Sequence, residues 1–117
     1  DTVNTTDNTP TAFNSIEIPT DKTVYITYSV NAKRTGGTAG AAGDSYRISA
    51  AYGTYKNVAG TITQIGTTEF DFGTITPTGI PSDTFAFVIS GTNIIPTITG
   101  IVDTNITWNA TVKREFL

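Results

Sequence analysis

The sequence contains neither cysteine nor histidine among its 117 residues. Without cysteine, disulfide bonds and thiolate metal sites cannot hold the fold together, and redox chemistry at sulfur is excluded. Without histidine, the most common general base and a frequent ligand of zinc and haem are missing. These two absences predict a protein that is not an enzyme and that binds no cofactor.

Basic residues and long apolar runs are also scarce. Seven Lys and Arg residues against ten Asp and Glu give a formal net charge of -3, which excludes the electropositive surface that nucleic-acid binding requires. No apolar run approaches the roughly 20 residues that cross a bilayer, so we expect no membrane insertion. The length predicts one domain with one core, and the start at Asp1 predicts a processed product or a piece of a longer protein.

Apolar residues recur at every second position along most of the chain, which is the spacing of half-buried strands. The stretches TVYITYSVNA, EFDFGTI and NITWNATVK show this alternation, with mostly polar residues at the intervening positions. The core side chains predicted from these three stretches are Val24, Ile26, Phe70, Phe72, Ile106, Trp108 and Val112.

About eight such strands, separated by Gly, Pro, Asn and Asp, predict an all-β fold with two antiparallel sheets packed as a β-sandwich. The stretch TFAFVIS is apolar on both faces and predicts a strand covered on both sides. Pro96 interrupts a short strand over residues 94–98, which predicts an edge strand or a bulge. Residues 1–11 are polar and aperiodic, so they predict an N-terminal arm or linker ahead of a sandwich domain over residues 12–117.

The stretch RTGGTAGAAGDSYR, residues 34–47, places four glycines between two predicted strands. A phosphate-binding loop would lead from a strand into a helix, but SYRISAAY is another strand, so phosphate binding is disfavoured. The segment 35–44 is predicted to be a loop that allows close backbone approach, at an apex or against a neighbouring subunit. Thr35, Gly36 and Gly37 are candidate surface or interface residues.

Three tyrosines, Tyr25, Tyr52 and Tyr55, are candidate surface or interface residues as well. A phenol combines an apolar ring with a polar tip, so each could stack on a sugar ring or fill a subunit interface. Tyr25 is the most suggestive, because it interrupts the polar side of its strand. Glu69 and Asp71 have a spacing compatible with paired carboxylates in glycoside hydrolysis, but solvated acids on a strand face are the stronger interpretation. The loop aspartates lack the dense spacing of a calcium site, so no metal is predicted.

Five short motifs, taken together, resemble a known domain. They are Gly-Asp-Ser at 43–45 followed by Tyr46 and Arg47, Gly-Thr-Ile-Thr-Gln-Ile-Gly at 60–66, Gly-Thr-Asn at 91–93, Thr-Gly at 99–100 and Trp-Asn-Ala-Thr-Val at 108–112. Over roughly residues 32–117 the chain is similar to a domain that recurs at the ends of tail fibres and receptor-binding proteins of tailed bacteriophages. The resemblance implies a β-sandwich of jelly-roll type, often trimeric, displayed on a virion and without enzymatic activity.

The sequence leaves three functions open. The first is a non-enzymatic module of a phage tail fibre or receptor-binding protein, a homotrimer on the virion that attaches to a glycan or protein of the host surface. The second is a subunit of an extracellular filament or adhesive appendage, a helical polymer in which residues 1–11 complete the sheet of the next subunit. The third is a monomeric carbohydrate-binding module that uses exposed tyrosines.

Overall fold

The computed structural model describes residues 1–71 and 84–117, and this part of the chain contains nine strands and no helix. The strands are β1 (Thr2–Thr5), β2 (Pro10–Ala12), β3 (Ile16–Glu17), β4 (Thr23–Gly37), β5 (Ser45–Val58), β6 (Thr61–Asp71), β7 (Phe85–Ser90), β8 (Asn93–Thr99) and β9 (Thr104–Phe116). All of the pairings between them are antiparallel. Consequently, no helix that could cross a membrane is found in the described residues.

The strands form two sheets, which confirms the predicted antiparallel β-sandwich, with nine strands in place of about eight. The larger sheet has the order β1-β9-β4-β5-β6. In the smaller sheet, β8 lies between β7 on one side and both β2 and β3 on the other. Strands β4, β5 and β6 are successive neighbours, and β9 returns after the smaller sheet to lie beside β4, which is a Greek key. A jelly roll combines two Greek keys, whereas the described strands form one Greek key.

The core lies between the inner faces of the two sheets and is rich in aromatic rings. Tyr28 projects from β4, and its ring centroid lies 5.6 Å from that of Phe85 and 5.9 Å from that of Phe87, both in β7. Phe13, between β2 and β3, packs on the same ring at 6.0 Å. These tilted and edge-on contacts are the arrangements that aromatic quadrupoles favour, and they join the two sheets.

The predicted core residues face the interior wherever the structure describes them. Val24, Ile26, Ile106 and Trp108 are buried, while Phe70 and Val112 are partly buried against the same cluster. Phe72 lies outside the described residues. The alternation of buried and exposed residues along β4 and β9 explains this agreement, because one face of each strand packs on the smaller sheet.

The N-terminal segment is part of the sandwich, which corrects the prediction of an arm or linker over residues 1–11. Thr2–Thr5 is an edge strand paired with β9, and Pro10–Ala12 pairs with the end of β8. Three of the four residues in β1 are polar, so hydrophobic alternation could not reveal it. Thr5 is nevertheless buried, and its hydroxyl is satisfied there because it accepts a hydrogen bond from the indole of Trp108.

The stretch TFAFVIS is not covered on both sides, so that prediction is wrong. Among the described strands, β7 pairs with β8 alone. Phe85 faces the core, but Val88 and Ile89 are 45% and 44% exposed. The unbroken apolar run therefore combines a residue that faces the core with exposed residues on an edge that no described strand covers, and does not reflect burial on two faces.

Pro96 lies in a strand that is paired on both sides, so the predicted edge strand is wrong, but the alternative of a bulge agrees with the register, because residues 13–15 lie opposite residues 95–96. On one side β8 pairs with β7, and on the other side β2 and β3 leave a gap opposite Pro96. The Pro96 carbonyl points into this gap and accepts the Phe13 N–H at 2.8 Å. In an antiparallel ladder, the N and O atoms of one residue point to the same neighbouring strand. The nitrogen of Pro96 therefore also faces the gap between β2 and β3, where no ladder bond is needed, so the missing N–H costs nothing.

The buried bond between Trp108 and Thr5 provides a test of the role of β1. The indole Nε1 donates to Thr5 Oγ1 at 2.9 Å. Thr5→Val keeps the shape of the side chain but leaves the indole N–H without an acceptor, so we expect the free energy of unfolding to fall by about 1–3 kcal/mol. Urea unfolding followed by Trp108 fluorescence measures this change. Thr6→Val, at the exposed position directly after the strand, should cost less than about 0.5 kcal/mol, and an equal loss in both variants would contradict the role.

Alkaline pH should weaken the fold through Tyr28. Burial raises the pKa of its phenol from 10.0 to about 12, with Arg114 acting in the opposite direction. The folded chain therefore holds this proton above the pH at which the unfolded chain releases it, so the stabilisation is present below pH 10.0 and is lost as the pH rises to about 12. Urea unfolding at several pH values in this window should show a decline of up to about 1.4 kcal/mol per pH unit from this group. Tyr28→Phe should reduce the slope, and an unchanged slope would refute the assignment.

Candidate functional site

The solvent-facing side of the five-stranded sheet carries two shallow recesses. The polar groove, with a volume of about 420 Å³, lies over β4 and β9, and its polar lining residues are Asn31, Lys33, Thr35, Thr107 and Asn109. The tyrosine recess, with a volume of about 240 Å³, lies over β4, β5 and β6, and the side chains that define it are those of Tyr25, Tyr52, Ile65, Thr67 and Glu69. Both recesses are open to solvent.

Tyr25 and Tyr52 form the aromatic wall of the tyrosine recess. Tyr25 points outward because Val24 and Ile26, on either side of it, are fully buried on the inner face of β4. The two tyrosine rings stack with their centroids 6.3 Å apart and an angle of 20° between their planes. Tyr25 is 37% exposed and Tyr52 is half-buried. The structure therefore brings together two of the three tyrosines selected from the sequence.

A bulge between β5 and β6 opens the recess. Tyr52 pairs with Glu69 and Thr54 pairs with Ile65, so one residue of β5 lies opposite three residues of β6. The first of these three, Gly66, has a φ of 75°, in the left-handed region that favours glycine. The extra residues displace β6 from the regular ladder, and bulges of this kind re-aim side chains. The side chains of β6 thus form a second wall facing the tyrosines.

The second wall adds hydrogen-bonding groups to the recess. Glu69 lies directly across the ladder from Tyr52, and such partners have Cβ atoms about 4.5–5.5 Å apart. The Glu69 carboxylate can accept hydrogen bonds, and the Thr67 hydroxyl can both donate and accept them. The side chain of Asp71, the other acid of the predicted pair, lies outside what the structure describes. The described groups can bind a small polar ring, but one carboxylate does not make the acid and base pair of a glycosidase.

Tyr55 does not belong to this surface, which corrects its selection as a surface or interface residue. It lies three positions after Tyr52 on the same strand and therefore faces the opposite way. Its ring is 1% exposed and lies 6.0 Å from that of Phe87. Burial raises the pKa of the Tyr55 phenol, and the nearby Thr68 hydroxyl acts in the opposite direction. Within the described residues, the buried Tyr55 hydroxyl completes no hydrogen bond.

Two side chains of the polar groove form hydrogen bonds with β1. The Thr2 hydroxyl donates to Asn109 Oδ1 at 2.8 Å, and the Thr107 hydroxyl donates to Asn4 Oδ1 at 2.7 Å. Both bonds cross the β1–β9 ladder on its outer side and help to hold the edge strand in place. Because part of its hydrogen-bonding capacity is used internally, the polar groove offers less to a ligand than its size suggests.

Thr35, Gly36 and Gly37 belong to β4, so the predicted loop over residues 35–44 is shorter than expected and begins after Gly37. Gly36 and Gly37 pair with β9, and Thr35 lies in the bulge that precedes them. Gly37 has a φ of 104°, and a side chain there would collide with the backbone of Asp103. The close approach that the glycines allow is therefore made within the chain.

Arg34 gives the loop after Gly37 a defined shape. Its Nε atom donates to the carbonyl of Ala39 at 2.9 Å, and its Nη2 atom donates to that of Gly37 at 2.7 Å. At the other end of the loop, the Asp44 carboxylate accepts the N–H of Ala41 at 2.8 Å, and the Asp44 carbonyl accepts the N–H of Arg34 at 2.9 Å. We call this set of bonds the arginine clamp.

No family model, no curated protein and no solved structure matches this chain. Within residues 1–71 and 84–117, no group of three or more acidic, His or Cys side chains could hold a metal ion. Over the described residues, the fold defines the class of the protein as an antiparallel β-sandwich.

Sequence reasoning found the tyrosine pair but missed Ile65 and Thr67 as its neighbours. Their proximity depends on the bulge, and the available signal was Gly53 and Gly66, two glycines inside strand patterns. Glycine inside a strand marks a bulge or a close approach, but it does not say which residues face each other across it.

The Tyr55 hydroxyl, which completes no hydrogen bond among the described residues, leads to a prediction of increased stability. Tyr55→Phe removes a buried polar group that completes no described hydrogen bond, so we expect the free energy of unfolding to rise by about 1 kcal/mol. Urea unfolding at neutral pH measures this. Tyr52→Phe, on the outer face, is the control and should change stability by less than about 0.5 kcal/mol. A loss of stability in Tyr55→Phe would show that the hydroxyl has a partner.

Proposed function

We propose that this protein is a non-enzymatic attachment and assembly module of a virion, the C-terminal domain of a phage tail fibre or receptor-binding protein. In this role it forms a homotrimer and contacts the host surface. The proposal draws on the motifs that resemble such domains, and the β-sandwich fold is the one that the resemblance implies. A fold alone does not establish a function, so the proposal depends on specific surfaces.

The observation that carries the proposal is the edge of β7 that no described strand covers. Its sequence, FAFVIS, contains no charged residue and no proline. Among the described strands it pairs only with β8, and Val88 and Ile89 are about half exposed. Natural proteins protect edge strands with charges, prolines or bulges, because open backbone groups pair readily with other chains. We infer that neighbouring copies of the chain cover this edge in the trimer.

Several residues of the motifs that resemble phage domains lie in turns or in the core. Gly60, with a φ of 89°, lies in the turn between β5 and β6, and Gly91, with a φ of 59°, lies in the turn between β7 and β8. Tyr46 stacks on Trp108 with a centroid distance of 6.0 Å. Motifs that maintain turns and core packing are expected of a module whose task is to present loops and faces on a rigid scaffold.

A filament subunit is the second candidate, and the position of β1 favours it. β1 is an edge strand, and residues 6–9, which carry no strand, connect it to β2 in the other sheet. Exchange of β1 between chains would re-form the same ladder with β9 of the next subunit. In the structure the strand pairs within its own chain.

The mass of the native assembly tests the proposal. We expect gel filtration with light scattering to show a trimer of the full chain and a monomer for Val88→Lys, because a charge on the edge strand opposes pairing and burial. Val58→Lys is the matched control, since Val58 is 56% exposed at the end of β5, and it should remain trimeric.

Two other results would overturn the trimer. A monomeric full chain would remove the basis for assembly through β7. Long polymers that disappear in Val3→Pro, which removes a backbone donor from β1, would support the filament subunit instead. Unchanged circular dichroism of each variant shows that the fold is retained.

A further inference from the structure

We infer that the tyrosine recess binds one pyranose ring of a neutral saccharide. This inference rests on the attachment role proposed above and specifies the chemical class of the ligand. The recess brings aromatic, aliphatic and acidic side chains together on the outer face. Its shape, its chemistry and its rigidity point to the same occupant.

The shape of the recess limits the ligand to one small ring. Its volume of about 240 Å³ lies below the range of about 300–1,000 Å³ that drug-sized ligands occupy. The stacked rings of Tyr25 and Tyr52 form one wall, and Ile65, which is 46% exposed, lies on the other. A flat ring can lie in such an opening with one face against a phenol and its edge toward solvent.

The chemistry of the walls matches the two sides of a pyranose. The C–H face of a sugar is apolar and packs on an aromatic ring, whose face is slightly negative. Sugar hydroxyls donate to a carboxylate in charge-assisted hydrogen bonds, and Glu69 provides one at the rim. The Thr67 hydroxyl can accept or donate a further bond. Glu69 and the net charge of -3 also oppose sugars that carry carboxylate or sulfate groups.

The tyrosine wall is formed before any ligand arrives. Tyr25 is paired with Thr54, and Thr27 is paired with Tyr52, within a continuous stretch of the β4–β5 ladder. Strand pairing fixes both Cα positions, and the two rings restrict each other by stacking. A ligand therefore orders few side chains on binding, which reduces the entropic cost of association.

A quaternary ammonium ion is the competing ligand, because cations are drawn to aromatic faces and carboxylates. Recognition of such a cation works best when several rings enclose it at different angles. Here the two rings are within 20° of parallel and form a single wall, and the opposite wall is aliphatic. The geometry favours a flat neutral ring over a spherical cation.

Ligand-observed NMR with the full chain tests the inference. The probes are the methyl glycosides of glucose, galactose and N-acetylglucosamine, with tetramethylammonium as the cationic probe. We expect at least one glycoside to bind with a Kd in the millimolar range and to receive saturation at its C–H protons. Tyr25→Ala and Tyr52→Ala should weaken binding about tenfold or more, and Glu69→Gln should weaken it less because the amide still accepts a hydrogen bond.

Asn31→Ala is the matched control, because Asn31 is exposed on the same strand as Tyr25 but lines the polar groove. It should leave glycoside binding unchanged. No binding of any glycoside by an intact trimer would overturn the inference and leave the assembly role standing. Binding of tetramethylammonium alone would overturn the assignment of the ligand. Dissociation of the trimer by Tyr25→Ala would make the tyrosine pair a subunit contact and would also overturn it.

Discussion

The contact of Tyr28 with Phe85 and Phe87 is the interaction on which the two-sheet arrangement depends. The smaller sheet has short strands, of three residues in β2 and two in β3, and so little backbone ladder of its own. Short ladders of this kind are not stable in isolation and require packing on another layer. The aromatic rings supply that packing, and they bury the inner faces of both sheets. Functional groups are consequently confined to the outer faces, the edges and the loops.

Register irregularities connect the fold to its surfaces. The bulge of β4 after Arg34 precedes Gly37, which lies against Asp103, and the bulge opposite Gly53 creates the tyrosine recess. A third irregularity lies between Tyr28 and Val30 in the β4–β5 ladder, while the β1–β9 and β7–β8 ladders are regular. The outer face therefore combines fixed aromatic rings with local departures from the sheet, which is how a flat surface acquires a concave site.

Hydrophobic alternation predicted the strands that have one buried face, and β4 and β9 are the clearest examples. It failed for β1, where the buried side chain is a threonine hydrogen-bonded to an indole, and for β7, where the apolar run includes an edge that no described strand covers. The inward orientation of Tyr55 could be predicted from the sequence, because Tyr55 lies an odd number of positions after Tyr52 on the same strand and therefore faces the opposite side of the sheet. The second wall of the tyrosine recess could not be predicted, because it depends on which residues of β6 pair with β5. The local sequence pattern does not determine this register.

The arginine clamp fixes the path of its loop without using most of the side chains in that loop. Arg34 binds backbone carbonyls, and the Asp44 carboxylate binds a backbone N–H, so the clamp does not use the side chains of Thr38, Ala41 or Ala42. These three residues are exposed. Their identity can therefore change without loss of the bonds that set the path of the chain. The loop is a natural position for sequence diversification, in evolution or in a designed library, with Arg34 and Asp44 held constant.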